Sequence, residues 1–235
     1  MSTARLADRV ALVTGGTGAL GSAVVTRLNA EGASVHATWR SETERDAFVA
    51  AHGGSAPVTL HRADVTDAQS VAALFDETGP VHILANVVGG FALAPLAETS
   101  PELWRKMLAL NATSAFLCSR AAVPGMRRAQ AGRIVNVAAQ PALGRGAASM
   151  SAYAASKAAV LNLTYSLARE LAPDGITVNA IVPSVIDTHA NRAAMPDADR
   201  SIWLAPEEIA GVIAFLASDD AAIVTGTAMN LSREG

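Results

Sequence analysis

A phenol and a primary amine stand four residues apart in the run YAASK, Tyr153 to Lys157. The segment around them, SAYAASKAAVLNLTYSLARELA, is rich in helix formers and contains neither Gly nor Pro. On a helix, positions i and i+4 lie one turn apart on the same face. Two titratable heads would then point together into whatever that face lines, which is the raw material of acid–base chemistry. Tyr and Lys also meet at this spacing by chance on many solvated helices. The rest of the chain must choose between the two readings.

A second stretch with chemical content is TGGTGALG, Thr14 to Gly21. It lies between a strand-like run, RVALVT, and a helical one, ALGSAVVTRLNAEG. Glycines at a first strand–helix junction permit a tight turn and let the backbone approach a pyrophosphate. The helix N-terminus adds free N–H groups and a partial positive charge. Gly15, Gly18 and Gly21 fall three apart, with Ala19 between the last two, so the spacing is not GxGxxG. About 20 residues further on, an NAD site usually carries an acid for the ribose hydroxyl. Here HATWRSE offers Arg40 and Ser41 instead. A guanidinium and a helix start suit a 2′-phosphate, so NADP is expected over NAD, with Glu42 as the opposing charge.

These residues need elements to position them, and the chain alternates short β-branched runs with helical patterns. After SVHATW comes SETERDAFVAAHG, whose Ser41 and Glu44 form a capping box. VTLHR, VHILANVV, GRIVNVAA, ITVNAIVP and GTAMNL read as further strands. TDAQSVAALFDETG, the YAASK segment and APEEIAGVIAFLAS read as helices, and a PDG turn ends the YAASK helix. SPELWRKMLALNATSAFLCSRAAVPGMRRA reads as one long helix with Pro at its first turn, kinked or broken near its far end by Pro124. Such alternation predicts an α/β fold: a doubly wound, mostly parallel sheet of about seven strands with helices on both faces. No linker or repeat divides residues 1–235, which read as one Rossmann-type nucleotide-binding domain.

Bulk properties exclude several function classes. Of 235 residues, 51% are hydrophobic and 17% charged, enough apolar material for a large core. Net charge is −3, without a basic stripe, which argues against nucleic acid and anionic membrane. The single Cys118 reads as a buried small hydrophobe and rules out a disulfide framework. His36, His52, His61, His82 and His189 fall in separate segments, so surface or strand-end positions are expected and no metal. The N-terminus has no signal-peptide core, and no 18-residue apolar run suggests a membrane helix. A cytoplasmic protein with a small-molecule substrate is the expectation.

Taken in order and spacing, the motifs resemble those of the short-chain dehydrogenase/reductase family over nearly the whole chain. Thr14, Gly15 and Gly21 match its glycine motif, with Ala19 in place of the middle glycine; Asp64 in ADVTD matches the acid that contacts the adenine. Asn86-Val87-Val88-Gly89 stands where NNAG is usual, Asn111 matches the asparagine of the long helix, and Tyr153 and Lys157 match YxxxK. PSVIDT, Pro183 to Thr188, resembles the segment that closes over the nicotinamide, with Ser184 where glycine is usual. The resemblance implies an NADP(H)-dependent oxidoreductase acting on a small carbonyl, alcohol or C=N compound. It assigns cofactor contacts to Gly15, Thr17, Gly18, Ala19, Leu20, Gly21, Arg40, Ser41, Asp64, Val65, Asn86, Val87, Gly89, Tyr153, Lys157, Pro183, Ile186 and Thr188. Tyr153 would supply the proton. Lys157 would draw the phenol's pKa down from near 10 and hold the ribose, and Asn111 would anchor a water relaying protons to Lys157.

One part of the pattern departs. Where the family usually has a serine to bond the substrate oxygen, NVAAQ places Ala138 and Ala139, neither of which donates. Loss of one such donor typically costs about a hundred- to a thousandfold in turnover. Gln140 is the expected substitute. A substrate needing less help, or a non-catalytic NADP(H)-binding sensor or scaffold, are the alternatives. Ser149 and Ser151 lie just before Tyr153. Phe91, Pro141, Met150, Met195 and Trp203 are candidates for an apolar wall, Arg145 for an anion contact, and residues 188–204 for a short lid. The likeness also implies a homo-oligomer, a tetramer or dimer packed through the long helices.

Overall fold

The computed structural model describes residues 4–52, 58–144 and 146–233, so Arg145 lies outside the described residues. Seven strands, β1 (Val10–Thr14), β2 (Ser34–Trp39), β3 (Val58–Arg62), β4 (Ile83–Asn86), β5 (Gly132–Val137), β6 (Ile176–Pro183) and β7 (Ala228–Leu231), form one sheet. Their order is β3-β2-β1-β4-β5-β6-β7, and every pairing is parallel. The chain therefore reverses its direction of winding between β1 and β4, where β1 Thr14 pairs with Asn86.

Helices cover both faces, and strand alternation sorts the core accordingly. Ala11, Val13, Ile83 and Ala85 pack under α1 (Ala19–Ala30) and α8 (Pro206–Ala217), with Val24, Leu28, Ile209 and Ile213. Leu12, Leu84 and Ile134 face the other way, onto Val71 and Leu74 of α3 (Ala68–Thr78) and Cys118 and Met126 of α5 (Ser114–Ala129). Cys118 is fully buried there, as expected of a small hydrophobe, and burial pushes its thiol up to about 12. The remaining helices are α2 (Glu42–His52), α4 (Pro101–Leu108), α6 (Ser151–Leu171) and α7 (His189–Ala194). No helix among the described residues is long and apolar enough to cross a membrane.

Three local expectations need correction. The fourth strand ends at Asn86, because the backbone amides of Val87 and Val88 turn to bond Thr14 Oγ1 at 3.0 and 3.1 Å. The long helix is not broken at Pro124 but continues to Ala129. Pro124 and Arg120, whose carbonyl loses its donor, are both exposed to water, while Cys118, Ala122 and Met126 hold the other face in the core. The interruption comes earlier: Ala109–Thr113 form a single π turn between α4 and α5. At α2, half of the capping box is made, Ser41 Oγ accepting from the Glu44 amide at 3.3 Å.

The histidines are also less scattered than their spacing suggested. Pairing of β2 with β3 brings His36 Nδ1 within 2.9 Å of His61 Nε2, and His61 Nδ1 within 2.9 Å of Glu77 Oε2. Burial, then the neighbouring His61, lowers the His36 pKa below its usual 6.5. The unfolded chain thus takes up a proton that the folded one resists, and stability falls as pH drops below 6.5. His36→Gln keeps a hydrogen-bonding head without titrating. Its urea midpoint is expected to fall less than the parent's between pH 7.5 and pH 5.5; an equal fall excludes His36 as a contributor.

Candidate active site

The site occupies the C-terminal edge of the sheet beside the reversal of strand order. At the first junction Gly15 takes φ +65°, and a Cβ on Gly21 would sit 2.0 Å from the Gly15 carbonyl oxygen. Glycine is therefore required at Gly21 by close backbone approach and at Gly15 by conformation. The Gly15 amide donates to Thr38 Oγ1 at 2.9 Å, which holds the turn against β2. Helix α1 begins after Gly18 with no acidic side chain in its first turn, so no carboxylate of its own competes for its N-terminal amides.

This turn forms one wall of a cavity of about 330 Å³. Of the expected cofactor contacts, Gly15, Thr17, Gly18, Ala19, Leu20, Gly21, Arg40, Asp64, Val65, Val87 and Gly89 line it. A glycine cradle, free helix amides and this volume fit the adenosine and pyrophosphate end of a dinucleotide. Ser41, Asn86, Tyr153, Lys157, Pro183, Ile186 and Thr188 do not line it. Ser41 is occupied with the start of α2. Asn86 is buried and donates to Asn136 Oδ1 at 2.8 Å. Ile186 bridges to Leu204, and Thr188 caps α7 by accepting from the Asn191 amide.

The cavity also has walls that sequence reasoning passed over: Thr38, Trp39, Glu44, Ala63, Thr66, Val88 and Leu110. Thr66 was legible as the residue two beyond Asp64; its hydroxyl and amide bind Asp64 Oδ1 at 2.6 and 3.0 Å and hold that carboxyl below its usual range. Arg40 reaches Asp64 at 3.3 Å, so these two expected contacts partly neutralise each other at the cavity rim.

Tyr153 and Lys157 sit on the first turns of α6, as the spacing required. Lys157 is buried and its Nζ donates to the Val137 carbonyl at 2.7 Å. Asn111 is carried by the π turn. Its Oδ1 accepts from the Gly90 amide at 2.9 Å, and its Nδ2 donates to Gly90 O and Ser156 Oγ at 3.0 and 2.9 Å. A methyl group on Gly89 would lie 2.9 Å from Asn111 Oδ1 and 3.1 Å from Lys157 Nζ. Both groups thus close in on the Gly89 α-carbon and leave no room for a side chain there.

The remaining candidates divide. Phe91 meets Tyr153 edge-on, centroids 5.0 Å apart at 76°. Met150 precedes α6, and Pro141 lies in the short turn Gln140–Ala142. Gln140 directs its amide to Asn230 Oδ1 at 3.3 Å, across to the end of β7. Trp203 is buried, beneath Arg200 at 5.9 Å, and is removed from the list of open wall residues. Ser149 adopts φ 58°, and its carbonyl accepts from the Ala94 amide at 2.7 Å, which accounts for it as a loop-shaping residue.

The electrostatics correct one expectation. Burial pushes the Tyr153 phenol up to about 12, away from neutrality, and pushes the Lys157 amine down to about 8. Desolvation outweighs any pull of the cation on the phenol in the protein alone. At neutral pH the phenol keeps its proton and the amine remains largely charged.

The model of the short chain dehydrogenase family matches residues 9–199. The chain is 35% identical to the 3-oxoacyl-(acyl-carrier-protein) reductase FabG of Vibrio cholerae, over 97% of each chain. It is 39% identical to the cis-4-hydroxycyclohexanecarboxylate dehydrogenase of Sinomonas cyclohexanicum, covering 94% of this chain and 93% of that one. A Beutenbergia cavernae structure described as an NAD(P)-dependent gluconate 5-dehydrogenase, with NADP bound, superposes with a TM-score of 0.86 at 34% identity, covering 96% of this chain and 95% of that one.

The Lys157 shift has a measurable consequence. Between pH 8 and its ordinary 10.5 the unfolded chain holds more protons at this position, so stability rises with pH across that window. A depression of this size corresponds to an order of ~3 kcal/mol at pH 7. Lys157→Met removes the buried charge, and its urea unfolding free energy is expected to lack the rise from pH 8 to pH 10. A parent curve that is flat or falling there overturns this account.

Proposed function

The chain belongs to the short chain dehydrogenase family and is an NAD(P)-dependent oxidoreductase, and on that premise we propose that it reduces a small carbonyl compound with NADPH, Tyr153 acting as the acid. The observation that carries this reading is the arrangement around Gly89. A buried ammonium, one turn along the helix that bears the phenol, and a fixed asparagine oxygen converge on a residue that has no side chain. A bound nicotinamide supplies hydride to the carbonyl carbon when the compound is reduced. The carbonyl oxygen takes its proton from the Tyr153 hydroxyl, and the resulting phenolate is refilled from Lys157, which regains its proton from water. Hydride plus proton converts the carbonyl to an alcohol, so the atoms balance.

Reduction suits the phenol as the protein holds it. A group kept protonated far above neutrality is ready to donate, while oxidation would require its phenolate at the start. Arg40 at the cavity rim supports NADP over NAD; the Asp64 carboxylate beside it and Glu44 on the same wall are the competing charges. Residues 188–204, built around α7 and the Ile186–Leu204 bridge, serve as the lid.

The absent oxyanion donor remains the chemical weak point. Ala138 packs with Val160, Leu161 and Val182 in the core, so alternation turns Ala139 the other way, toward the cleft. In this reading Ala139 stands where a serine hydroxyl would meet the substrate oxygen, and Gln140, bonded to Asn230, must leave that partner to substitute for it.

The deciding experiment is NADPH and NADH consumption against ketones, aldehydes and dihydropterins, with Tyr153→Phe as control. Loss of at least about a hundredfold in turnover, with dinucleotide binding retained, is expected for that variant. Turnover that survives loss of the hydroxyl removes Tyr153 from its role, and tight NADPH binding without turnover of any compound favours a sensor. A second comparison isolates the missing donor. Ala139→Ser is expected to raise kcat by about tenfold or more, while Ala138→Ser lowers the thermal midpoint without a gain in rate. Equal behaviour of the two variants refutes the assignment of Ala139 to the cleft.

A further inference from the structure

Three consecutive residues after β4 meet the polar members of the site in turn. Gly89 faces Asn111 Oδ1 and Lys157 Nζ, Gly90 exchanges two bonds with Asn111, and Phe91 sets its ring edge-on to Tyr153. Phe91 is nevertheless 62% exposed, so much of the ring beside the phenol is open. Leu93, two residues on, is also 62% exposed, and the Ala94–Ser149 bond fastens this strip against the entry to α6. Leu143 follows the turn after β5 and is 43% exposed. From Gly89 to Leu96 and from Ala138 to Tyr153, the described residues carry no ionisable group except Tyr153 itself. Apolar side chains this exposed beside a reactive group are suited to a ligand's hydrocarbon surface. An anionic group laid on the described residues of this strip would lose hydration without meeting a cation among them.

Resting on the carbonyl reduction proposed above, we infer that Phe91 and Leu93 form the platform for the substrate's hydrocarbon body. The substrate is accordingly a compact, uncharged ketone bearing an apolar ring or chain next to its carbonyl. Phe91 is then a specificity residue, acting through contact with the substrate's body and leaving proton transfer to Tyr153.

The test measures kcat and KM with NADPH for cyclohexanone, 4-propylcyclohexanone, 4-oxocyclohexanecarboxylate and acetoacetyl-CoA, using the parent, Phe91→Ala and Phe91→Leu. The parent is expected to favour the propyl ketone over the carboxylate by at least about tenfold in kcat/KM. Phe91→Ala should lose about ten- to a hundredfold on the propyl ketone, mainly in KM, and less on cyclohexanone. Phe91→Leu should recover part of the loss, with NADPH affinity unchanged in both variants. Preference for the carboxylate or the thioester overturns the inference, as does an equal loss in kcat on every ketone, which would mean that Phe91 acts only through Tyr153. Calorimetric binding of 4-propylcyclohexanol to the parent and to Phe91→Ala separates this inference from the reading beneath it. Binding weakened by the variant, with no ketone reduced by the parent, upholds the platform and defeats the proposed reaction. No binding to the parent defeats the platform.

Discussion

A buried ammonium dictates much of what surrounds it. Lys157 lies out of water with one protein acceptor within 2.7 Å, the Val137 carbonyl at the end of β5. A charge in that position is costly unless its donors are met. Val137 must therefore end its strand with the carbonyl aimed at α6, and the next helix turn must lie close enough to receive it. The neighbouring glycine is part of the same constraint: any side chain at Gly89 would fill the gap that separates Lys157 from Asn111.

Beneath this layer, a line of buried amides and hydroxyls ties the strands to the helices that carry the site. Asn86 on β4 donates to Asn136 on β5, and Asn136 donates to Thr164 on α6, two turns below Lys157. Thr14 on β1 accepts from the two amides that turn the chain away from β4. Such groups cost most when left unpaired in a low dielectric, so their pairing sets a definite register between sheet and helix. Asn86 Oδ1 has no partner among the described residues, which marks one place where this network is open. The outer strip of the cleft, from Phe91 to Leu96, is tied to the entry of α6 by the bond from Ala94 to Ser149 and to the turn that follows it by Thr99.

Much of this was legible in the order of residue types. Strand–helix alternation announced a parallel sheet, and the PDG turn, the glycine junction and the polar pair on α6 fell where their local physics placed them. The parts that were not legible share a cause. Asn111 looked like one more residue of a continuous helix, because a π turn leaves no compositional mark that distinguishes ALNAT from its neighbours. Pro124 looked like a break, because local sterics do not report that the exposed face tolerates a lost bond while the buried face stays packed. His36 and His61 looked unrelated at a separation of 25 residues until strand pairing set them side by side.

The sequence by itself determined the alternation of elements, the glycines that the first turn demands, and the four-residue spacing that puts Tyr153 and Lys157 on one face. These depend on backbone sterics and helical period, which act within a few residues. Tertiary structure alone decided that the phenol and the amine are shifted by burial in opposite directions, that Arg40 shares its charge with Asp64, and that Gln140 turns to Asn230. Desolvation and ion pairing depend on what other segments bring within a few ångströms, and the linear order of residues does not contain that distance.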